Sequence, residues 1–420
     1  MTAITDQIQA QLRALPVPLA LQLPSGEQLG AEQPEVTLRL RQASQLATLA
    51  QGRLGDLGAA IVEGEVDFIG PVRALMAAAA AMLPASPVAQ RVGRWAQVMA
   101  HLHSVAHHTL ARDAQQIEFH YDLSDAFYAL WLDPRRVYSC AYFNDTGLTL
   151  AQAQEAKLDH ICRKLQLRPG ERFLDVGAGW GGLLLFAAEH YGVQAQGITL
   201  SHHQLAYVQQ LIEDKGLGGR VTMSLCDYRE LQVDQPFDKI ASVGMVEHVG
   251  RAQLGAYFAT IARLLRPGGM LLNHGITAAS ADNMQLDAGF GDFIEKYIFP
   301  GGELLHISTQ LHELSRSGLE MVDTENLRPH YARTLWAWSD ALEAQLDAAL
   351  RVLQQQSDAE RAAKSLRAYR LYLAGSAMGF ERGWMALHQI LAIRPDGALD
   401  SGTMRGAQSG YPFNRSYMYR

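Results

Sequence analysis

The chain has 420 residues, of which 48% are hydrophobic and 19% are charged, and its formal net charge is −7. This length predicts two domains, or one large elaborated domain, with ample material for a core. The negative charge argues against a nucleic-acid-binding protein, which normally has a basic excess. The three cysteines lack the paired spacing of a metal cluster and indicate a reducing compartment.

Residues 1–85 predict a small α+β domain. Its expected elements are, in chain order, a hairpin at 19–29, a strand at 36–40, a helix at 44–50, a turn or short strand at 62–66 and a buried helix at 75–83. Residues 86–118 are interpreted as a helical linker. Its histidines are expected on a solvated face, because no carboxylate or cysteine at ligand spacing accompanies them.

Residues 119–395 alternate between strand and helix patterns, which predicts a mostly parallel α/β sheet with right-handed crossovers. Ser201 and Gln204 are spaced as a capping box, and the aromatic-rich tail at 396–420 is expected to dock on the rest of the chain. Strands are predicted at 172–176, 193–199, 220–226, 237–243, 269–276, 319–325 and 386–393, and helices at 181–190, 201–215, 251–265 and in an insertion at 335–372.

A glycine-rich turn follows the first of these strands, in the segment Asp175-Val-Gly-Ala-Gly-Trp-Gly-Gly182. Such a strand–turn–helix lets a nucleotide-type ligand approach bare backbone at a helix N-terminus. The turn alone does not distinguish a dinucleotide from S-adenosylmethionine. A dinucleotide site would place an acidic residue about 20 positions further on, whereas residues 197–204 contain none. The sequence therefore favours S-adenosylmethionine.

Seven motifs in register give the chain a family resemblance. Together they resemble the cyclopropane-fatty-acyl-phospholipid synthases, S-adenosylmethionine-dependent methyltransferases similar to mycolic acid cyclopropane synthases. The resemblance implies a Rossmann-like class I methyltransferase fold with a seven-stranded sheet and helical insertions, preceded by a small lipid-binding domain. The motifs are His120-Tyr-Asp-Leu-Ser124, Tyr138-Ser-Cys-Ala-Tyr142, the glycine turn, Gly197-Ile-Thr-Leu-Ser201, Met245-Val-Glu-His-Val-Gly250, Asn273-His-Gly-Ile276 and His330-Tyr-Ala-Arg333.

Twelve residues are predicted to bind the cofactor, each at a stated part of the molecule. Packing alone remains an alternative role for Thr199 and Tyr228. The predicted contacts are Tyr138, Ser139 and Asp175 for the methionine portion, Gly177 and Gly179 for backbone approach, Thr199, Leu200, Ser201 and Gln204 for the ribose, and Cys226, Asp227 and Tyr228 for the adenine.

Cyclopropanation requires a base in the active site. A cis double bond attacks the sulfonium methyl group, and the resulting carbocation must lose a proton before water captures it. The resemblance implies a bound bicarbonate as the base, with ligands at Cys140, Glu247, His274, Ile276 (through its backbone) and Tyr331. Cys140 taken alone is more typical of a small buried apolar residue. Phe143 and Tyr331 are further candidates for stabilising the cation through their rings.

The resulting hypothesis is a cytoplasmic enzyme, peripheral on the inner membrane face, that acts on unsaturated phospholipid; homodimer formation is left open. No apolar run reaches the length of a membrane span. The resemblance implies that the segment 290–302 lines an acyl channel. The alternatives are a fatty-acyl methyltransferase that leaves a methyl or methylene branch, a small-molecule N-methyltransferase on the same scaffold, and a lipid-binding protein that has lost catalysis.

Overall fold

A computed structural model describes residues 2–46, 54–83, 124–281, 297, 303–397, 411–412 and 414–419. The predicted linker at 86–118, the motif residues 120–123, most of the segment 290–302 and tail residues 398–410 lie outside the described residues.

The helices of the described chain are α1 (Thr2–Arg13), α2 (Leu54–Val62), α3 (Val72–Met82), α4 (Asp125–Ala129), α5 (Leu150–Lys164), α6 (Gly182–Tyr191), α7 (His202–Asp214), α8 (Leu254–Leu264), α9 (Ile307–Arg316), α10 (Arg328–Glu343), α11 (Leu346–Gln354) and α12 (Ala359–Glu381). The strands are β1 (Leu19–Gln22), β2 (Gln28–Gly30), β3 (Val36–Leu40), β4 (Val66–Ile69), β5 (Arg172–Val176), β6 (Gln194–Thr199), β7 (Val221–Leu225), β8 (Phe237–Val243), β9 (Leu265–Ala278), β10 (Leu305–His306), β11 (Glu320–Asn326) and β12 (Met385–Ile393).

The N-terminal unit is a four-stranded sheet in the order β2-β1-β3-β4, joined by three helices. The predicted hairpin forms, with β1 antiparallel to β2. The turn or short strand expected at 62–66 is confirmed, since a turn at residues 63 and 64 follows α2 and leads into β4 at Val66. Helix α1 was not predicted, yet it buries Ile8 and Leu12 against the core of this unit. Apolar burial on one face therefore stabilises a helix that the sequence signals only weakly.

The second unit contains a sheet in the order β11-β12-β9-β8-β5-β6-β7. The five adjacent strands β9, β8, β5, β6 and β7 are parallel, and β12 is antiparallel to both of its neighbours, β11 and β9. The chain runs from β5 outward to β7 and then returns to β8 on the other side of β5. Parallel strands that diverge in this way leave a crevice at their carboxyl ends. This topology, and not any single side chain, decides where the site lies.

Two differences from the predicted elements matter for the site. Helix α5 was not predicted, although Thr149 and Gln152 form a reciprocal capping box at its start. The insertion expected at 335–372 is longer, and it consists of α10, α11 and α12. Its first helix begins at Arg328 with Pro329 in the first turn, where a missing N–H does no harm. The predicted site residue Tyr331 consequently lies on a helix.

The described part of the C-terminal tail docks on α5 and β11. Met418 is fully buried, its carbonyl lies 2.8 Å from His160 Nδ1, and the Tyr411 hydroxyl donates to Glu320 at 3.0 Å. Lys164 donates to Glu325 at 2.6 Å in the same cluster, where His160 and Lys164 hold the pKa of Glu325 at about 2 despite its burial. None of the described helices is long and apolar enough to span a bilayer.

Candidate active site

A cleft opens at the carboxyl ends of β5, β6 and β8, and it encloses about 1190 Å³ with its open mouth included. Eleven of the twelve predicted cofactor residues line this cleft, and Ser201 does not. The lining residues are Tyr138, Ser139, Asp175, Gly177, Gly179, Thr199, Leu200, Gln204, Cys226, Asp227 and Tyr228.

The glycine turn leaves backbone bare at the base of the cleft. Gly177, Gly179 and Gly181 all have positive φ angles, of 76°, 56° and 79°. Only glycine adopts this conformation without a steric penalty. A Cβ atom added at Gly179 would have only the carbonyl oxygen of Gly177, at 4.0 Å, near it. The space in the direction of that Cβ atom is therefore open, and a bound ligand can occupy it.

The predicted ribose contacts form a closed network. The Thr199 hydroxyl donates to Gln204 Oε1 at 2.7 Å, and the Ser201 N–H donates to Thr199 Oγ1 at 3.1 Å. Ser201 caps α7 by accepting from the Gln204 N–H, but the Gln204 side chain does not return to Ser201. The predicted capping box is therefore only half formed, because the cleft threonine engages the glutamine amide. Gln204 keeps its NH₂ group as a donor toward the cleft.

The predicted adenine side of the cleft contains an ion pair that sequence reasoning missed. Asp227 is buried and accepts two hydrogen bonds from the Arg229 guanidinium, at 2.8 and 2.6 Å. Arg229 itself lines the cleft. Tyr228 packs edge-on against Tyr257, with 5.3 Å between ring centroids. This contact gives Tyr228 the packing role that remained its alternative, although one side of it still faces the cleft.

Lys157 is the most important cleft residue that the sequence analysis missed. It lies on α5, only 1% exposed, and its Nζ donates to Ser139 Oγ at 2.8 Å. Burial lowers the pKa of Lys157 to about 8, against the opposing effect of nearby acidic groups that include Asp175. Burial also raises the pKa of Asp175 to about 7, although Lys157 opposes that rise. The unpredicted capping box of α5 was the available signal, since it fixes the helix that carries this lysine.

Glu247 and Ile276 are in direct contact. Glu247 follows β8 in a single 3-10 turn, and its Oε1 accepts the Ile276 backbone N–H at 2.6 Å. Burial raises the pKa of Glu247 to about 7, although this hydrogen bond opposes the rise. Gly275 makes the approach possible, because a Cβ there would lie 2.2 Å from Val246 Cγ1. The Ile276 N–H is therefore engaged by Glu247 and is not directed at an anion.

His274 lies on the same strand, two residues before Ile276, and is 1% exposed. The Gln389 side-chain nitrogen lies 3.2 Å from His274 Nδ1. Burial holds the pKa of His274 well below its ordinary value, so the ring is neutral. A neutral imidazole that accepts at Nδ1 carries its proton on Nε2. Within the described residues, neither His274 Nε2 nor Glu247 Oε2 has a hydrogen-bond partner, and both atoms are buried.

Cys140 and Tyr331 lie in the hydrophobic cluster against which Ile276 packs. Both approach Leu327: Cys140 Sγ lies 3.9 Å from its carbonyl oxygen, and the Tyr331 N–H donates to the same oxygen at 3.0 Å. Burial raises the pKa of Cys140 far above its ordinary value, so it is a neutral thiol. The other aromatic candidate, Phe143, has its ring face covered by the Arg333 guanidinium at 4.1 Å, which disfavours a contact with a substrate cation.

Glu247 Oε2 and His274 Nε2 are two of the buried polar atoms without a partner among the described residues, and Gln389 Oε1, on the side chain beside His274, is another. Glu247 follows the cleft residue Met245, and His274 pairs with the cleft residue Val243 in the sheet. Buried polar atoms are nearly always hydrogen-bonded in native proteins. A small species with both an O–H donor and acceptor oxygens, such as bicarbonate, has the chemistry to satisfy an unpartnered acceptor and an unpartnered donor.

Comparisons with known proteins place this geometry in a family. The profile of the mycolic acid cyclopropane synthetase family matches residues 108–390. The chain is 41% identical over 424 residues to the "Probable fatty acid methyltransferase" of Pseudomonas putida, and 99% of both chains is covered. It is 38% identical over 282 residues to "Cyclopropane mycolic acid synthase 1" of Mycobacterium tuberculosis (strain ATCC 25177 / H37Ra), which covers 65% of this chain and 95% of the relative.

Solved structures agree. A crystal structure of the mycolic acid cyclopropane synthase CmaA1 complexed with SAH and CTAB matches with a TM-score of 0.61 and 36% identity, over 67% of this chain and 98% of that one. Coclaurine N-methyltransferase matches with a TM-score of 0.63 at 20% identity, over 81% of this chain and 99% of that one, which is a likeness of fold alone. The predicted class I methyltransferase fold is confirmed. The chain belongs to the mycolic acid cyclopropane synthetase family of S-adenosylmethionine-dependent methyltransferases.

Proposed function

We propose that this methyltransferase transfers a methylene group from S-adenosylmethionine to the cis double bond of an unsaturated phospholipid acyl chain and closes a cyclopropane ring. The observation that carries the proposal is that two predicted bicarbonate ligands, Glu247 and His274, each keep a buried polar atom, Oε2 and Nε2, without a partner among the described residues. Transfer of a methyl group to an amine or hydroxyl releases a proton from nitrogen or oxygen, which water can accept, so it does not require a base shielded from water. A carbocation formed from an alkene does require one.

The apolar surroundings of Tyr331 and Cys140 suit a reactive cation. Tyr331 and Cys140 belong to the same hydrophobic cluster, and the Tyr331 ring lies 4.6 Å from that of Phe380. Apolar walls exclude the water that would otherwise capture the cation. The carboxyl of Glu247, with a pKa of about 7, is suited to hold a proton near neutral pH and to release it again.

Bicarbonate would be held by Glu247 as an acceptor and by His274 as a donor, with Tyr331 and Cys140 nearby. When bound, it would supply the base that removes the proton from the new methyl group. Ile276 contributes differently from the original expectation, since its N–H fixes the Glu247 carboxylate. The neutral state of His274 is suited to donate to an anion without an ion pair, because burial disfavours its protonated form.

The proposed substrate implies contact with a membrane surface at the inner face of the cell membrane. The net charge of −7 opposes simple adhesion to anionic lipid, so apolar contacts are the expected means of recognition. We also propose that the N-terminal unit contributes to lipid binding, because the family resemblance implies this role for the small N-terminal domain.

An assay with unsaturated phospholipid vesicles and S-adenosylmethionine tests the proposal. We expect acyl chains to gain the mass of one CH₂ group, and the product to resist ozone because the double bond has become a ring. Vesicles of fully saturated phospholipid are the control and should gain no mass. A product that ozone still cleaves would exclude ring closure.

A fatty-acyl methyltransferase that leaves a methyl or methylene branch is the second candidate. The name of the Pseudomonas putida relative, with which this chain aligns over 99% of both lengths, favours it. Both candidates share the first step, and they differ in which proton leaves the cation. A mass gain of one CH₂ group in an ozone-sensitive chain would identify this second reaction.

Lys157 provides a further prediction. Substituting Lys157→Met removes the buried cation beside Asp175 and the donor to Ser139, so we expect affinity for S-adenosylmethionine to fall by about 10-fold. Because Lys157 holds the pKa of Asp175 down, the substitution should raise that pKa above about 7. If ionised Asp175 binds the cofactor ammonium, the variant should need a higher pH for the same affinity. Calorimetric titration at several pH values measures both effects.

Lys239→Met is the matched control. Lys239 is also buried, with its pKa lowered to about 8 by burial, but it contacts Met270 on β9 and does not line the cleft. Its substitution should leave cofactor affinity and its pH dependence unchanged. Equal behaviour of the two variants would contradict a cofactor role for Lys157.

A further inference from the structure

An apolar chamber lies between the N-terminal unit and the second unit. One wall is formed by α2 and α3 with Leu57, Ile61 and Met76, and the other by α12 and the residues after it with Gly375 and Trp384. The chamber encloses about 710 Å³ with its opening and the adjoining open space included. Among its described lining residues no side chain carries a charge.

Polar contacts join the N-terminal unit to the second unit. Arg73 forms two hydrogen bonds with Asp340, at 2.9 and 2.6 Å, and Lys364 pairs with Glu63 at 2.7 Å. Arg367 also donates to the Val62 carbonyl oxygen at 2.9 Å. The units are thus joined around a hollow that protein side chains leave unfilled. Apolar cavities reduce stability unless something occupies them.

Gly375 indicates that the hollow is not a packing accident. It lies inside α12, where glycine is less favourable than alanine. A Cβ atom at this position would meet only Met76 Sδ, at an ordinary contact distance of 3.9 Å. Alanine would therefore fit, and close packing of the helices does not require glycine here. Gly379 differs, because its Cβ would lie 2.8 Å from Met385 Cε. Glycine at position 375 therefore keeps space open in the chamber.

The chamber adjoins the cofactor cleft at two hydrogen-bonded tyrosines. Tyr372 lines the chamber, Tyr138 lines the cleft, and their hydroxyl oxygens are 3.3 Å apart. An occupant that enters from the reaction centre would reach the chamber beside this pair. With no charged lining side chain to receive a phosphate, the chamber suits hydrocarbon and excludes a head group.

We propose that this chamber binds the methyl-terminal segment of the acyl chain, beyond the double bond, so that the N-terminal unit forms a wall of the substrate site and selects chain length. The proposal rests on an acyl substrate, as in the proposed function, but it does not depend on ring closure. Chains with a long distal segment should fill the hollow, and chains with a short one should leave it partly empty.

The test compares Gly375→Leu with Gly375→Ala on two phospholipids. Vesicles of dioleoyl and dimyristoleoyl phosphatidylglycerol place the double bond at the same distance from the head group and differ only in the segment beyond it. Leucine should fill the chamber and lower turnover on the dioleoyl lipid by about 10-fold, with little change on the dimyristoleoyl lipid. Alanine should resemble the unsubstituted protein on both. An equal effect of leucine on both lipids would overturn the proposal.

A binding measurement separates this inference from the proposed reaction, and it does not require Gly375→Leu to fold. Oleic acid brominated at its terminal carbon should quench tryptophan fluorescence of the unsubstituted protein, and Trp384→Phe should remove most of that quenching. Quenching that survives Trp384→Phe unchanged would reject the chamber as the binding site. If Trp384 is quenched but no lipid is modified, the chamber stands and the proposed reaction fails.

Discussion

Glu247→Gln should lower turnover by about 1,000-fold while leaving affinity for S-adenosylmethionine unchanged. Glutamine can still accept the Ile276 N–H through its amide oxygen, so the local backbone should hold. It cannot take up a proton, however, and the second atom of its side chain is a donor where Oε2 is an acceptor. Steady-state turnover on unsaturated vesicles and calorimetric titration of the cofactor measure the two quantities separately.

The pH dependence follows from the raised pKa of Glu247. The group must be ionised to receive a proton, and burial places its pKa at about 7, so the rate should rise as pH increases through about 7. In Glu247→Gln this rise should disappear from the residual rate. Glu189→Gln is the control, since Glu189 is a carboxylate outside the cleft that pairs with Lys215 and should not affect turnover. A Glu247→Gln enzyme with full activity would remove this residue from the reaction.

Gly179→Val should abolish measurable cofactor binding, because the valine side chain would occupy the space that the ligand needs. We expect the affinity to fall by at least about 100-fold. The Cβ would project into the cleft, where the structure leaves open space. The backbone would also be strained, because Gly179 has a φ of 56°. Calorimetric titration with S-adenosylmethionine is the direct measurement.

Gly216→Val separates these two causes. Gly216 follows α7 with a φ of 64°, and a Cβ there would meet nothing within 4 Å. Both substitutions should therefore lower the free energy of unfolding by a similar ~1–2 kcal/mol, but only Gly179→Val should prevent binding. Equal loss of binding in both variants would mean that backbone strain, and not obstruction of the cleft, explains the effect.

The local pattern of the sequence predicted most of the second unit. Strand β5 begins and ends as expected, and the strand–helix alternation gave the parallel sheet, because period and turn chemistry are local properties. The glycine spacing predicted a turn with bare backbone for the same reason: positive φ angles favour glycine at individual positions.

Other features depended on partners distant in the chain. Nothing in the local sequence marks Lys157, and only the packing of α5 against the loop that carries Ser139 buries it beside Asp175. Ile276 was assigned to an anion, but the fold brings the Glu247 carboxylate to its N–H first. Ser201 was predicted both as a helix cap and as a cofactor contact; it caps α7 through its side chain and does not line the cleft.

The sequence by itself determined the family, the nucleotide-type turn and the residue types available for acid–base chemistry, since these depend on side-chain identity and short-range spacing. The tertiary structure alone decided which polar atoms stay unpartnered, how far each carboxyl's pKa moves, and that α2 and α3 enclose a hollow with α12. Burial and long-range contact set these properties, and both arise only when segments hundreds of residues apart, such as Met76 and Gly375, come together.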